Sequence, residues 1–369
     1  METKNRIGYV DIARGIAICC IVLGHLGVGE INRIVFTFHV PLFFFLSGFF
    51  MNNKYAFREF VRRKARNLLV PYFVTCLVLI VLAVLEVIVF TDWTNVMALE
   101  GLYGNLDSSM LRIFLGKVMR EALDWMYAAV YGAGDPYTSP FYIKSIGAIW
   151  FLWASFWANV FMRKLLDFRK EVRITVVGLL FFAGYFSRRW CWLPLSIQAG
   201  CCATFFVYLG FLAQRGKATW EAMEAEVKLF LRVMAFIVWI SFIRDFKSFW
   251  LVHCDVGRGI VDIVGCICGC YMIFLLSGCL ERYTKYLARG LRFLGRYSLF
   301  ILCIHTVELH MYPWDELMNV WSASGLSQGM QMLLLIVTKF GLIILATFLC
   351  SRSAFVRKIF GITEAKYKA

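Results

Sequence analysis

The stretch FTFHVPLFFFLSGFF, residues 36–50, decides how the rest of the chain is read. Nearly every side chain in it is large and apolar, which suits lipid better than water. Yet it also holds an ionisable imidazole, His39, a proline, Pro41, and the small pair Ser47–Gly48. Ionisable groups inside a bilayer are costly and persist where they have a task. Pro41 stands near the start of the helical run, where a missing N–H matters least, so it marks an entry turn. Ser47–Gly48 forms a patch on which another helix can pack closely.

Composition extends this reading to the whole chain. Its 369 residues are 60% hydrophobic and 17% charged, with a mean hydropathy of +0.69. An ordinary globular domain is about half apolar and about a quarter charged. The surplus arrives in blocks that can cross a bilayer core, roughly 20 residues each. Such blocks fall at about 8–27, 34–51, 69–90, 144–162, 172–187, 193–213, 228–244, 256–280, 293–312 and 329–351. The expected fold class is therefore all-α: a polytopic integral membrane protein of about ten transmembrane helices. No Gly/Ser-rich linker divides the chain, so residues 1–369 read as a single domain with a core of about 6–350.

The net charge of +15 would point to nucleic acid in a soluble chain. Here the basic residues lie mostly in short gaps between apolar blocks. Topology and anionic headgroups account for them there, so membrane lipids are expected as partners and nucleic acid is not. One alternating set of gaps holds most of the Lys and Arg. It includes the N-terminal tail, NNKYAFREFVRRKARNL, RKLLDFRKEVR, QRGKATWEAMEAEVK, ERYTKYLARGLR and the tail 352–369. The positive-inside rule then places both termini in the cytoplasm. The gap at about 91–143 becomes a long external loop. Its segment 109–130 mixes apolar and charged residues and is expected as a surface helix. Whether the loop merely connects or covers a site stays open at this level.

Several residues stand out as chemistry inside this frame. Asp11 and Arg14 are three apart and share a helix face, so they can pair. Arg14 and His25 are eleven apart, three helical turns, and lie on one stripe separated by roughly 16 Å. His25, His39 and His305 fall at broadly similar depth on three spans, and Glu308 lies one turn beyond His305. Together they describe a polar chamber in the outer half, where a histidine can act as general base near neutral pH. Arg62, Arg63, Lys64 and Arg66 cluster before the third span. Arg63 and Arg66, three apart, can present two guanidinium groups to one phosphate, or simply anchor the helix on anionic lipid. Thirteen cysteines are present, many in apolar segments, where they act as small hydrophobes. Cys266 and Cys268 are two apart and do not share a helix face, so no metal is expected. Nucleophile-elbow, P-loop and zinc-protease patterns are missing from the sequence, and with them the usual signals of a soluble hydrolase or a nucleotide-driven pump.

These pieces resemble one family, the membrane acyltransferase-3 proteins, and within it the stand-alone members described as fucose 4-O-acetylase-like. DIARGIAICCIVLGH carries the family's Arg-x10-His as Arg14 and His25. FHVPLFFFLSGFF matches its second-helix signature, and RKAR followed by LLVPYF matches its Arg-x-x-Arg as Arg63 and Arg66. IWFLWA, LPLSIQAGCCATFFVYLGFLA and FLGRYSLFILCIH follow in the expected order. The resemblance implies O-acyl transfer across a bacterial cytoplasmic membrane. The donor would be a cytoplasmic acyl-coenzyme A, usually acetyl-CoA, and the acceptor a hydroxyl of an envelope glycan or another external molecule. It gives His25 the catalytic part and Arg14, with Asp11, a supporting one. Arg63 and Arg66, with Arg62 and Lys64, become candidates for the coenzyme A phosphates, and His39, His305 and Glu308 for the acceptor chamber. The rival reading is a transporter or flippase of a small molecule or lipid-linked sugar, since charged spans and broken helices also serve transport.

Overall fold

A computed structural model describes residues 4–90, 108–138, 141–362 and 365–367. Among the described residues the chain is helical apart from one small ladder. Lys4–Arg6 (β1) pairs in parallel with Ala365–Tyr367 (β2), so the two ends of the chain lie side by side. The face of the bundle that carries them is called the near side below, and the opposite face the far side.

Among the described residues, five helical stretches are long and apolar enough to cross a membrane: Gly29–Phe49, Phe57–Phe90, Ile197–Arg215, Ile260–Tyr283 and Gln328–Ser351. The other expected spans are also helical, as Gly8–Gly24 (α1), Trp150–Leu165, Lys170–Ser187, Ala225–Arg244 and Ser298–Met311. The distribution of side chains is that of a protein in lipid. Phe73, Leu77 and Phe90 are exposed, whereas Asp262, Lys339 and Thr347 are buried. Water would favour the reverse; in hydrocarbon the polar groups must find partners inside the bundle.

The expected span 34–51 is a broken helix. Gly29–Val35 (α2) and His39–Phe49 (α3) are separated by Phe36–Phe38. The break is satisfied internally: Thr37 Oγ1 donates to Ile34 O at 2.6 Å and accepts from Trp239 Nε1 at 2.9 Å. Pro41 lies in the first turn of α3, where its missing N–H leaves no ladder bond unmade. Gly48 sits at a close crossing with Ile197–Arg215 (α8). A Cβ on Gly48 would come within 1.8 Å of Val207 O, and one on Gly210 within 1.9 Å of Phe45 O.

Phe57–Phe90 forms α4, a helix of 34 residues that runs unbroken through Pro71. Ser108–Tyr131 (α5) is the helix expected at 109–130, but it is no loose surface element. It packs on α4, with Trp125 and Ala128 buried and Tyr72 Oη donating to Ala129 O. Residues 91–107 and 139–140 of the expected external loop lie outside the described residues. Trp150–Leu165 is α6 and Lys170–Ser187 is α7. Lys217–Ala222 (α9) and Ala225–Arg244 (α10) lead to Ile260–Tyr283 (α11).

The expected span 293–312 also divides. Lys285–Arg296 (α12) and Ser298–Met311 (α13) meet at Tyr297. At 1.5 Å per residue the 14 residues of α13 reach only about 21 Å, short of a full crossing. The preceding α12 lies against α1 through a second pair of glycines. A Cβ on Gly295 would come within 1.7 Å of Asp11 O, and one on Gly15 within 2.2 Å of Leu291 O. Trp314–Ala323 (α14), Gln328–Ser351 (α15) and Ala354–Ile359 (α16) complete the order.

Candidate active site

Two cavities lie along α1. The far one, about 240 Å³, is lined by His25, Asn32, His39, Asp135, Trp150 and Trp250 with apolar neighbours. The near one, about 190 Å³, is lined by Arg14, Ser47, Lys64, Asn67, Ser155 and Ser298 with apolar neighbours. Ile21, Phe151 and Leu302 line both. The cavities therefore abut, with an aliphatic and aromatic partition between them. The geometry follows from helix period: Arg14, Ile21 and His25 come from one stripe of α1, and Ile21 sits between the two polar ends.

The far cavity holds a chain of titratable groups. His25 caps the C-terminus of α1, and its Nδ1 lies 2.8 Å from Ile21 O. A carbonyl only accepts, so this contact requires a proton on Nδ1. The lone pair of the neutral ring is then on Nε2. His305 on α13 brings its Nε2 to 3.4 Å from His25 Nδ1, with the rings edge to face. The other nitrogen of His305, Nδ1, lies 2.8 Å from Glu308 Oε2. A carboxylate likewise accepts, so His305 carries its proton on Nδ1 and turns a lone pair toward His25. Lys339 Nζ donates to Glu308 Oε1 at 2.5 Å and stands 4.0 Å from the centre of the Trp314 ring. Every link in Lys339–Glu308–His305–His25 thus has matched donors and acceptors. Its inner members are buried, and His25 alone is exposed, at the cavity end.

His39 shares the cavity wall with His25. Its Nδ1 bonds Val35 O at 2.5 Å, and Phe36 meets its ring edge on. Asp11 and Arg14 pair at 3.5 Å, with Asp11 buried and Arg14 reaching the near cavity. The basic cluster on α4 divides. Lys64 lines the near cavity, while Arg62, Arg63 and Arg66 are exposed on the helix surface. Arg63 is held by Glu59 at 2.8 Å and stacks on Tyr55 at 3.9 Å.

Sequence reasoning passed over Lys339, Asn32 and Asp135. A signal for the first was in plain view: one lysine in the apolar run LLLIVTKFGLIILA, where an ionisable residue is a candidate by default. Asn32 lies on the short helix α2 and Asp135 in an irregular segment, and only the fold carries them to the cavity. Asp135 is tied to His253 Nε2 at 2.6 Å. The loop that holds Trp250 and His253 is pinned to α7 by Arg188 and Asp255, 3.3 Å apart. Burial pushes the Asp255 carboxyl up, but bonds from Ser248, Arg188 and the Gly257 N–H outweigh it and hold it below the usual carboxylate range. Among the described residues no group of three or more His, Cys, Asp or Glu is arranged to hold a metal ion.

Broken helices, two abutting cavities and a largely buried chain of titratable side chains define a class: membrane proteins with a polar site inside a helical bundle. Comparison with known families makes the class specific. The acyltransferase-3 family model, described as an acyltransferase domain, matches residues 7–352, and the chain belongs to that family. No curated protein and no solved structure matches the chain. The protein is thus a membrane acyltransferase, with an acyl donor and a hydroxyl acceptor.

Proposed function

We propose that the chain is an O-acetyltransferase of a bacterial cytoplasmic membrane. In this reading it crosses the bilayer ten times, with both termini and the near cavity on the cytoplasmic side. Acetyl-CoA supplies the acyl group, and a hydroxyl of an external envelope glycan receives it. The observation that carries this reading is the pair of cavities meeting at Ile21, Phe151 and Leu302. One offers cationic and hydroxyl groups from the near side, and the other offers a histidine base.

The donor's phosphates bind at the mouth of the near cavity, where Lys64 and Arg14 line the wall and Arg63 and Arg66 flank it on α4. Its thioester passes the apolar partition and reaches the far cavity. The acceptor hydroxyl gives its proton to His25 Nε2 as its oxygen forms a bond to the thioester carbonyl carbon. The carbon–sulfur bond then breaks, and the imidazolium returns the proton to the departing thiolate sulfur. While His25 is charged, its Nδ1–H faces Ile21 O and the lone pair of His305, with Glu308 behind. This is how an oriented base is held in acyl transfer generally. His39 lines the acceptor side of the cavity. General-base help of this kind is worth roughly 10²–10⁴-fold.

The test is transfer of label from acetyl-CoA to lipid-phase or external material by membranes containing the protein. His25→Ala should abolish transfer and leave insertion intact; full transfer by that variant would end the assignment. Arg63→Ala with Arg66→Ala should raise the KM for acetyl-CoA several-fold and leave kcat near its normal value. An unchanged KM would return these arginines to lipid anchoring.

A further inference from the structure

A thioester attacked by an alkoxide-like oxygen develops negative charge on its carbonyl oxygen, and the far cavity must supply a hydrogen-bond donor for it. The polar side chains along its wall can be sorted by what they have left to give. His25 and His39 use their Nδ1–H groups on Ile21 O and Val35 O, so each neutral ring presents a lone pair to the cavity. Asp135 as a carboxylate only accepts. Trp150 and Trp250 bring indole N–H donors on large rings, and Asn32, with a small amide, differs from the first three in also having a donor. It lies on α2, between the end of α1 that carries His25 and the start of α3 that carries His39. Its backbone is fully engaged, with N bonded to Val28 O and O accepting from Phe36 N. Asn32 is one of the residues that line the cavity, and its Oδ1 is buried with no hydrogen-bond partner among the described residues.

A buried amide oxygen without a partner costs about 1–3 kcal/mol. Such exceptions are rare in folded proteins and call for an explanation. A Leu of similar size at position 32 would close the wall without that penalty. The two ends of an amide also exchange by a simple flip, so either an NH₂ or a carbonyl can be turned to a guest. The short helix α2 fixes the Cα, and the break at Phe36–Phe38 keeps this helix apart from the run of α3.

We infer that Asn32 is a further catalytic residue, whose Nδ2–H group binds the thioester carbonyl oxygen as it becomes an oxyanion. This rests on the proposed acyl transfer. The electron pair leaves the C=O bond for oxygen as the acceptor oxygen bonds to carbon, with the proton on His25. Asn32 holds the resulting oxyanion until the pair returns and the carbon–sulfur bond breaks. No further reactant is needed.

The experiment measures thiol release from acetyl-CoA by membrane vesicles from cells expressing the full chain, so that the cells' own acceptor is present. Asn32→Asp keeps the shape but loses the donor, and Asn32→Leu, close in size and without any donor, supplies an uncharged alternative should the charge disturb the cavity. Both should lower kcat about 10²–10³-fold with the KM for acetyl-CoA changed less than about threefold, the signature of an interaction made only in the transition state. A correctly inserted variant with kcat near wild type, or with a raised KM alone, would overturn the role of Asn32 and leave the acyl-transfer reading intact. Wild-type vesicles that release no more thiol than vesicles lacking the protein would overturn that reading, and this inference with it.

Discussion

Lys339 shows how much one side chain can decide in a dry interior. It is 3% exposed and Glu308 is 9% exposed, so neither ion can turn to water if the other is removed. Breaking a buried pair from one side leaves an uncompensated charge, typically at a cost of about 3–5 kcal/mol. Lys339→Met should therefore lower the melting temperature of the detergent-solubilised protein markedly. The double variant Lys339→Met, Glu308→Leu should recover part of that loss, because two apolar groups can fill the space of a paired acid and base. A double variant no more stable than the single one would show that the pair is not the source of the cost. Transfer activity should stay low in the double variant, since His305 there loses the carboxylate that holds its tautomer. Of these groups, His25, His305 and Glu308 were legible from type and depth along their spans. Their order as a relay was not, because helix period gives the face and height of a residue but not which neighbour it meets. That required α13 to be set beside α1.

At the scale of elements, the contacts that matter most are those where backbones nearly touch. Gly15 and Gly295 let α1 and α12 approach until a methyl group on either would collide with a carbonyl, and Gly48 and Gly210 do the same for α3 and α8. Without a hydrophobic force between helices in lipid, such packing and its interhelical contacts carry the association. Gly295→Val should prevent α12 from seating on α1 and yield protein that aggregates on extraction, read by size-exclusion chromatography. Gly290→Ala, on the same helix but with nothing within 4 Å, is the control and should raise stability by about 0.5–1 kcal/mol. A Gly295→Val protein as monodisperse and heat-stable as the control would show that α12 docks by other means. The sequence foresaw close packing at Gly48. It did not foresee the interruptions at Phe36–Phe38 and Tyr297, since both lie inside stretches read as single spans. Hydropathy sums over a window and cannot see where a ladder bond passes from main chain to a side chain such as Thr37.

Across the whole molecule, the strongest constraint is that polar side chains turn inward and apolar ones outward. That pattern is a property of composition and block length, which is why the helical membrane architecture could be read early. The position of the far cavity could not. Its wall draws on α1, α2, α3, α6 and α13, the segment around Gly134–Asp135 and the loop at 249–252, and these meet only after the bundle closes.

The partition of Ile21, Phe151 and Leu302 has a consequence for the electrical life of the cell. A water-filled passage through the bundle would conduct protons and discharge the membrane voltage, worth about 2.3 kcal/mol per elementary charge at 100 mV. A short apolar constriction resists wetting, and so resists conduction, even where wider vestibules lie on both sides. On the proposed reading, these three side chains would keep the resting protein from conducting. Ile21→Ala with Phe151→Ala should turn it into a slow leak, seen as faster collapse of an imposed pH gradient in vesicles loaded with a pH-sensitive dye. Vesicles that hold their gradient as well as wild type would mean that another layer provides the seal. If acyl transfer runs as proposed, the partition would let a chemical group be handed across the bundle without opening a path for current.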